Sequence, residues 1–315
     1  MTSIDALLSA DRPFLTDGGF ETSLFFLDGF DAPEFAAIVL LDDPAARQAI
    51  ARYFDRFLAT AARAGTGFVL DTGSWRGCTE WAGKLGRSAD DLIRLNRDSV
   101  ALAREIRAGW TDRVAPILIN GVVGPAGDAY APDTELDAAT AERLHTPQIR
   151  VFAEEGVDLV SAITMTHVGE AVGIARAAQA AGLPVVISFT VETDGRLPTG
   201  ETLGAAIRAT DAATDSAPLY YMVNCAHPDH FRDAFLARED WVARIGGLRA
   251  NASRLSHAEL DAAEELDDGD PEEFGRLHAE LARYVPNLRV VGGCCGTDHR
   301  HVGCVSHHLH APAAV

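Results

Sequence analysis

Short runs of apolar residues recur along the whole chain, and longer amphipathic stretches separate most of them. A short apolar run bounded by turn residues is typical of a buried strand, whereas apolar residues at every third or fourth position are typical of a helix. The apolar runs predict eight strands, at residues 14–15, 68–70, 116–120, 158–163, 185–189, 220–225, 245–251 and 288–292. The amphipathic stretches predict helices at residues 45–64, 88–108, 138–155, 169–181, 203–213, 228–237, 257–266 and 271–284.

The alternation of these elements predicts an α/β fold. Eight strand and helix units in one chain of 315 residues favour a closed (β/α)₈ TIM barrel. An open sheet is disfavoured because no dinucleotide-type glycine fingerprint follows the first strand. We expect one domain over residues 1–315, with a loop at 121–132 and an acidic, solvated connection at 261–273.

Composition and charge narrow the class of protein. Hydrophobic residues make up 47% of the chain, yet no apolar run reaches the length of about 20 residues that a membrane-spanning helix requires. The formal net charge of −19 argues against nucleic acid or an anionic membrane as a partner, because binding to phosphates requires clustered Lys and Arg. Without a secretory signal, the expected location is the cytoplasm. We expect a monomer or a small homo-oligomer.

The predicted strand ends carry most of the candidate chemistry, as expected for a barrel whose catalytic residues lie at the carboxyl ends of its strands. Polar and sulfur-containing side chains occur at Asp17, Asp71, Asn120, Thr164, Thr190, Glu192, Asn224, Cys225, Asn251, Cys294 and Cys295. Three of the five cysteines are in this set.

The pair Cys294 and Cys295 lies in a Gly-Gly-Cys-Cys-Gly turn after the last strand, and Cys225 ends the sixth. Three thiolates that converge with an open fourth position fit a catalytic zinc site. Other interpretations are open: Cys225 as a buried apolar side chain, or His227, His299 and His301 as rival ligands, the last two being expected at the surface. Cys78 and Cys304 are interpreted as ordinary thiols.

Several motifs, in order along nearly the whole chain, resemble the homocysteine S-methyltransferase family, which includes betaine- and S-methylmethionine-dependent enzymes. They are Asp17-Gly18-Gly19, Gly124-Pro125, Gly156-Val157-Asp158-Leu159, Ser188-Phe189-Thr190, Val223-Asn224-Cys225 and Gly292-Gly293-Cys294-Cys295-Gly296. The resemblance implies a (β/α)₈ barrel with one Zn²⁺ bound by Cys225, Cys294 and Cys295, and a small-molecule acceptor thiol as its fourth ligand. It further implies methyl transfer from a sulfonium or ammonium donor to homocysteine.

Substrate contacts are expected around this metal. Backbone N–H groups of Gly18, Gly19 and Gly293 are candidates to bind a substrate carboxylate. Asp17 is expected to orient the substrate ammonium or to support the site, with capping of its own loop as the alternative. Thr164 and Asn224, at two strand ends, complete the predicted contacts.

One position departs from the family's pattern. The family has a Glu-Thr pair at the end of the fourth strand, whose glutamate meets the ammonium of homocysteine, and this chain has Ile163 and Thr164 there. We expect either Glu21 or Glu192 to replace that carboxylate, or the acceptor to be another small thiol or selenol. Trp75 is a candidate to face a methyl-onium donor. A zinc-binding barrel without catalysis is the alternative from another class, and S-methylmethionine, S-adenosylmethionine and betaine all stay open as donors.

Overall fold

Eight parallel strands form a closed barrel in the order of the chain, and the last strand pairs with the first. The computed structural model describes residues 2–129 and 135–310. The strands are β1 Phe14–Leu15, β2 Phe68–Asp71, β3 Ile117–Val123, β4 Leu159–Met165, β5 Val185–Phe189, β6 Tyr221–Asn224, β7 Ile245–Ala250 and β8 Val290–Gly293. The predicted (β/α)₈ barrel is confirmed.

Helices surround the strands and also close the lower end of the barrel. They are α1 Ser3–Ser9, α2 Phe20–Thr22, α3 Pro44–Ala64, α4 Ala89–Ala108, α5 Ala138–Glu154, α6 Val168–Ala180, α7 Leu203–Thr214, α8 Pro228–Leu236, α9 His257–Asp261, α10 Pro271–Ala282 and α11 His299–His310. The predicted boundaries agree where capping chemistry is strong. Helix α3, for example, begins where Asp43 accepts the Ala45 N–H and ends at Gly65 in the left-handed conformation.

Two predicted boundaries are wrong by three residues or more. Strand β3 continues to Val123, because Gly121 permits the ring of Phe152 to approach the strand and does not begin a turn. Of the predicted loop, only 124–129 is irregular within the described residues, and 130–132 lie outside them. Helix α9 ends at Asp261 and does not extend to 266, since the acidic stretch that follows places like charges at helical spacing.

The core has two parts. Side chains from the lower half of the strands fill the barrel interior, including Phe14, Val69, Leu118 and Met222, and Leu7 of α1 packs against them. A larger cluster fills the space between the strands and the outer helices. Because the lower interior is apolar and α1 covers it, the polar strand ends at the opposite mouth are left to form a site. No helix in the described part of the chain is both long and apolar enough to cross a membrane.

We predict that Gly121→Ala lowers the free energy of unfolding by about 1–3 kcal/mol, the usual cost of overpacking a core. A β-carbon at this position would lie 2.6 Å from the ring of Phe152, which belongs to α5. The matched control is Gly83→Ala, which meets nothing within 4 Å. Urea unfolding of the two variants should separate them, and equal stability would contradict this account of β3.

Candidate metal centre

Three cysteine sulfur atoms meet at the upper mouth of the barrel. Cys225 follows β6, and Cys294 and Cys295 follow β8. The Sγ atom of Cys225 lies 2.7 Å from that of Cys294 and 3.7 Å from that of Cys295. All three lie within 4.8 Å of one another, and they are the one such group of three or more potential metal ligands among the described residues. One soft metal ion fits this donor set.

Two residues at the site have strained backbone conformations. Cys225 has φ of 54° and Thr164, at the end of β4, has φ of 67°. This conformation is costly for residues with a side chain, above all for β-branched Thr, and persists only where neighbours enforce it. Asn224 supplies that restraint: its Oδ1 accepts from the Thr164 N–H, and its Nδ2 donates to Thr164 Oγ1 and lies 3.7 Å from Cys294 Sγ. Asn224 therefore couples the end of β4 to the sulfur of Cys294.

A histidine that the sequence did not single out supports Cys225 from the other side. Nε2 of His257 donates to the Cys225 carbonyl oxygen at 2.6 Å, and its Nδ1 lies 3.1 Å from Glu192 Oε1. Glu192 is thus engaged by His257, and it does not line the cavity beside the thiols. This position weakens its expected role as a replacement ammonium ligand.

A buried arginine lies below the thiols. Arg249 donates to Asp17 Oδ1 at 2.6 Å, forms a second, very short ion pair with Asp71, and reaches the Gly293 carbonyl at 3.3 Å. Burial opposes its charge, but Asp71 and then Asp17 hold the pKa of Arg249 above its usual value. Desolvation raises the pKa of Asp17 to about 7 although Arg249 opposes this. The sequence signal for Arg249 was a single charge in an otherwise uncharged strand.

The hydrogen bonds of Asp17 do not fit the alternative prediction that it caps its own loop. Its carboxylate accepts from Tyr53 Oη at 3.1 Å and from Thr16 Oγ1 at 3.2 Å, besides Arg249. Among the described residues, no backbone N–H donates to it. Asp17 is therefore bonded to both Arg249 and Tyr53 at the bottom of the site.

The thiols open into a cavity of about 70 Å³, which we call the inner cavity. Its wall contains the three cysteines and Arg249, and three carboxylates: Asp17, Glu21 and Asp71. Two of these are bound to Arg249, whereas Glu21 forms no salt bridge within residues 2–129 and 135–310. Desolvation raises the pKa of Glu21 to about 8, and the nearby Cys294 and Asp17 add to the effect. Glu21 is therefore the carboxyl group of the inner cavity that Arg249 leaves available.

The glycine N–H groups that were predicted to bind a substrate carboxylate are already used. Gly18 N donates to Tyr53 Oη, Gly19 N to the Thr297 carbonyl, and Gly293 N to the Asp17 carbonyl. These glycines matter for close packing: a β-carbon at Gly19 would lie 2.8 Å from the Cys294 carbonyl oxygen. Gly18 and Gly19 do line the inner cavity, so their contact with a substrate stays a prediction.

Ile163 and Trp75, which the sequence analysis also singled out, both lie at the inner cavity. Ile163 is buried and faces the inner cavity, where its carbonyl accepts from Trp75 Nε1. Trp75 lines the same cavity, and the Arg76 guanidinium lies 4.8 Å from its ring centroid.

The rival histidines lie outside the thiol cluster. His227 caps α8 by accepting the Asp229 N–H, and burial lowers its pKa to about 4. His301 is buried, contrary to the expected surface position, and its ring bonds to Asp298 and to the Asp268 carbonyl.

Comparison with known proteins agrees with this architecture. The family model described as homocysteine S-methyltransferase matches residues 14–309. The metallated form of the homocysteine methyltransferase MmuM from Escherichia coli superposes with a TM-score of 0.75 at 20% identity, covering 97% of this chain and 99% of that one. Its oxidized form gives a TM-score of 0.74 at 21% identity, over the same shares of the two chains. The fold is thus shared with MmuM, and by the family match this chain belongs to the homocysteine S-methyltransferase family.

Proposed function

We propose that this protein is a zinc-dependent homocysteine S-methyltransferase, with the metal bound by Cys225, Cys294 and Cys295. The observation that carries the proposal is the convergence of three thiols on the wall of a cavity in a member of this family. MmuM, which has the same fold, exists in a metallated form, and this supports metal binding by this chain. Three sulfur ligands favour zinc among the common protein metals.

The proposed reaction is a single nucleophilic substitution at a methyl carbon. When bound, zinc supplies the positive charge that deprotonates a coordinated thiol and keeps it nucleophilic near neutral pH. The thiolate sulfur attacks the donor's methyl carbon; the bond from that carbon to the onium atom breaks, and its electron pair stays on the departing neutral group. The thiol proton is released to solvent.

The protein's own residues prepare this step. Hydrogen bonds from the Cys225 and Cys295 thiols, helped by Arg249 and Asn224, lower the pKa of Cys294 well below its usual value. Cys294 is thereby prepared as a thiolate ligand. The apolar interior below and the buried Arg249 keep water away from the lower side of the site.

Glu21 is the residue that we assign to the acceptor's ammonium. It is the carboxyl group of the inner cavity wall that Arg249 does not engage. An ammonium placed beside it would favour the ionised carboxylate and offset its desolvation. Ile163, in β4, has no group that could bind the ammonium. Glu21 offers a carboxylate from α2, on another part of the cavity wall.

A second candidate function is methylation of a small thiol that lacks an ammonium. Ile163 favours it, because an apolar side chain stands where the family places its ammonium ligand. The two proposed functions differ only in whether the acceptor carries an ammonium. Assays with two acceptors that differ in this one group therefore distinguish them.

The first prediction concerns the metal. Protein purified with zinc should contain about one Zn²⁺ per chain, and Cys294→Ala should lose it together with all turnover, since two thiolates make an incomplete site. Cys304→Ser is the matched control, because that thiol lies on α11 outside the cluster and should leave zinc content unchanged. Metal analysis by mass spectrometry measures the zinc content of both variants, and an assay of methyl transfer measures their turnover. Full activity of a metal-free variant would falsify the proposal.

The second prediction concerns the acceptor. Zinc-loaded protein, mixed with homocysteine and each of a panel of sulfonium and quaternary ammonium donors, should yield methionine detectable by mass. The matched acceptor is 4-mercaptobutanoate, which is homocysteine without its amino group. Faster methylation of 4-mercaptobutanoate would favour the second candidate, and no product from either thiol with any donor would argue for a barrel without catalysis.

The third prediction tests Glu21. Glu21→Gln should raise KM for homocysteine about 10- to 100-fold, the loss of one charge-assisted hydrogen bond, with a smaller change in kcat. KM for 4-mercaptobutanoate should not change. Adding Ile163→Glu to this variant should restore part of the affinity for homocysteine. The opposite pattern, in which Glu192→Gln raises KM and Glu21→Gln does not, would assign the ammonium to Glu192.

A further inference from the structure

We propose that His257 is a positioning residue of the metal centre, which fixes the backbone of Cys225 and thereby raises the affinity of the three thiols for zinc. This inference rests on the metal site of the proposed function and does not depend on the donor or the acceptor. His257 is 5% exposed and lies at the first position of α9, where Ser256 caps the helix. Its partners, Cys225 and Glu192, follow β6 and β5.

The backbone of Cys225 requires restraint from its surroundings. Its φ of 54° lies in the left-handed region, which is unfavourable for a residue with a β-carbon. The Cys225 N–H donates to the Arg249 carbonyl at 3.3 Å, and His257 Nε2 donates to the Cys225 carbonyl at 2.6 Å. Because both peptide groups of the residue are held in this way, the direction of its Cα–Cβ bond is fixed. Rotation about that bond is then the one freedom left to the sulfur.

His257 provides the stronger of two side-chain contacts to this carbonyl among the described residues. Thr190 Oγ1 provides the other, at 3.5 Å, a distance at which a hydrogen bond is weak. A buried carbonyl without a good donor is costly, so loss of the imidazole favours rotation of the peptide group. Such a rotation would move the Cys225 sulfur relative to those of Cys294 and Cys295.

The ring of His257 is itself held on its other side. Its Nδ1 lies 3.1 Å from Oε1 of Glu192, so that residues after two different strands contact one imidazole. All five residues of α9 are described, and His257 is the one that is buried. Helix α9 therefore contacts the metal centre through this side chain. A histidine that only filled space would not need an oxygen atom beside each ring nitrogen.

The chain that leads to His257 also contacts the other cysteine turn. The Ala250 carbonyl accepts from the Cys294 N–H at 2.8 Å. The Ala252 N–H donates to the Cys295 carbonyl at 3.1 Å. The segment from the end of β7 to His257 therefore joins the two turns that carry the thiols. Its backbone holds the turn after β8 and its histidine holds the turn after β6, so one short segment determines the spacing of the three sulfur atoms.

The test replaces the histidine and measures zinc affinity by competition with a chromophoric chelator. His257→Phe keeps an aromatic ring and removes the donor. It should weaken zinc binding about 10- to 100-fold, the usual effect of losing a group that supports a metal ligand. His257→Gln is the conservative variant, because its side-chain amide can still donate to the Cys225 carbonyl. It should restore most of the affinity.

Cobalt supplies a measurement that a purely structural role would not change. When Co²⁺ replaces zinc, its absorption bands report the geometry of the sulfur ligands. At full cobalt loading, we expect altered bands for His257→Phe and unaltered bands for His257→Gln. His145→Gln is the matched control, since this histidine is also buried, on α5, and pairs with Glu170. It should change neither zinc affinity nor the cobalt spectrum.

Glu192→Ala provides a second route in case His257→Phe does not fold. The Glu192 side chain is 37% exposed, so the fold should tolerate its removal, yet the variant releases the other side of the His257 ring. Zinc affinity should fall in the same direction as in His257→Phe, by a smaller factor.

The outcomes distinguish this inference from the proposed function. Unchanged zinc affinity and cobalt spectra in folded His257→Phe and Glu192→Ala overturn the role of His257 and leave methyl transfer intact. Equal losses in His257→Phe and His257→Gln also overturn it, since the hydrogen bond would then not be the cause. The expected losses in a protein that binds zinc but methylates no thiol support His257 and contradict the proposed function. A protein that binds neither zinc nor cobalt contradicts both.

Discussion

The ion pairs of Arg249 with Asp17 and Asp71 are the interaction on which the site depends. They connect β7 with the ends of β1 and β2 below the three thiols, and all three side chains are buried. Loss of one partner from such a buried group leaves an uncompensated charge and typically costs about 3–5 kcal/mol. Because Arg249 also reaches the Gly293 carbonyl, its position determines that of the turn that holds Cys294.

The same network continues across the interior of the barrel. Asn120 donates to Asp71 at 2.7 Å, and Ser161 donates to Asn120 at 2.9 Å, so β3 and β4 join the hydrogen-bonded layer. Asn224 forms a comparable link from β6 to the end of β4. Strand ends that would otherwise carry isolated buried polar groups are thereby satisfied by one another. A rigid polar layer results, and strained residues such as Thr164 and Cys225 can persist above it.

Much of this could be predicted from the sequence, and the exceptions have physical reasons. The strands and the three cysteines were identifiable because apolar periodicity and the Gly-Gly-Cys-Cys-Gly turn are local signals. The continuation of β3 past Gly121 was not, since the need for glycine comes from Phe152 on another element. Arg249 and His257 act through partners distant in sequence, and no local pattern reveals such pairing. The glycine N–H groups looked available only because their acceptors, Tyr53 and Thr297, are also distant.

The residues that hold the three thiols in place are distinct from the carboxylate that is proposed to contact a substrate. The cysteines are fixed from below by Arg249 and Asn224, neither of which depends on what the substrate carries. The ammonium contact, by contrast, requires only a carboxylate somewhere on the cavity wall, and α2 offers one as readily as β4 does. With Ile163 at the end of β4, the proposed ammonium contact is made from Glu21, and the thiol cluster does not depend on it. On these grounds, the buried network constrains the position of the three thiols, whereas the proposed choice of acceptor rests on a few residues of the cavity wall, foremost Glu21.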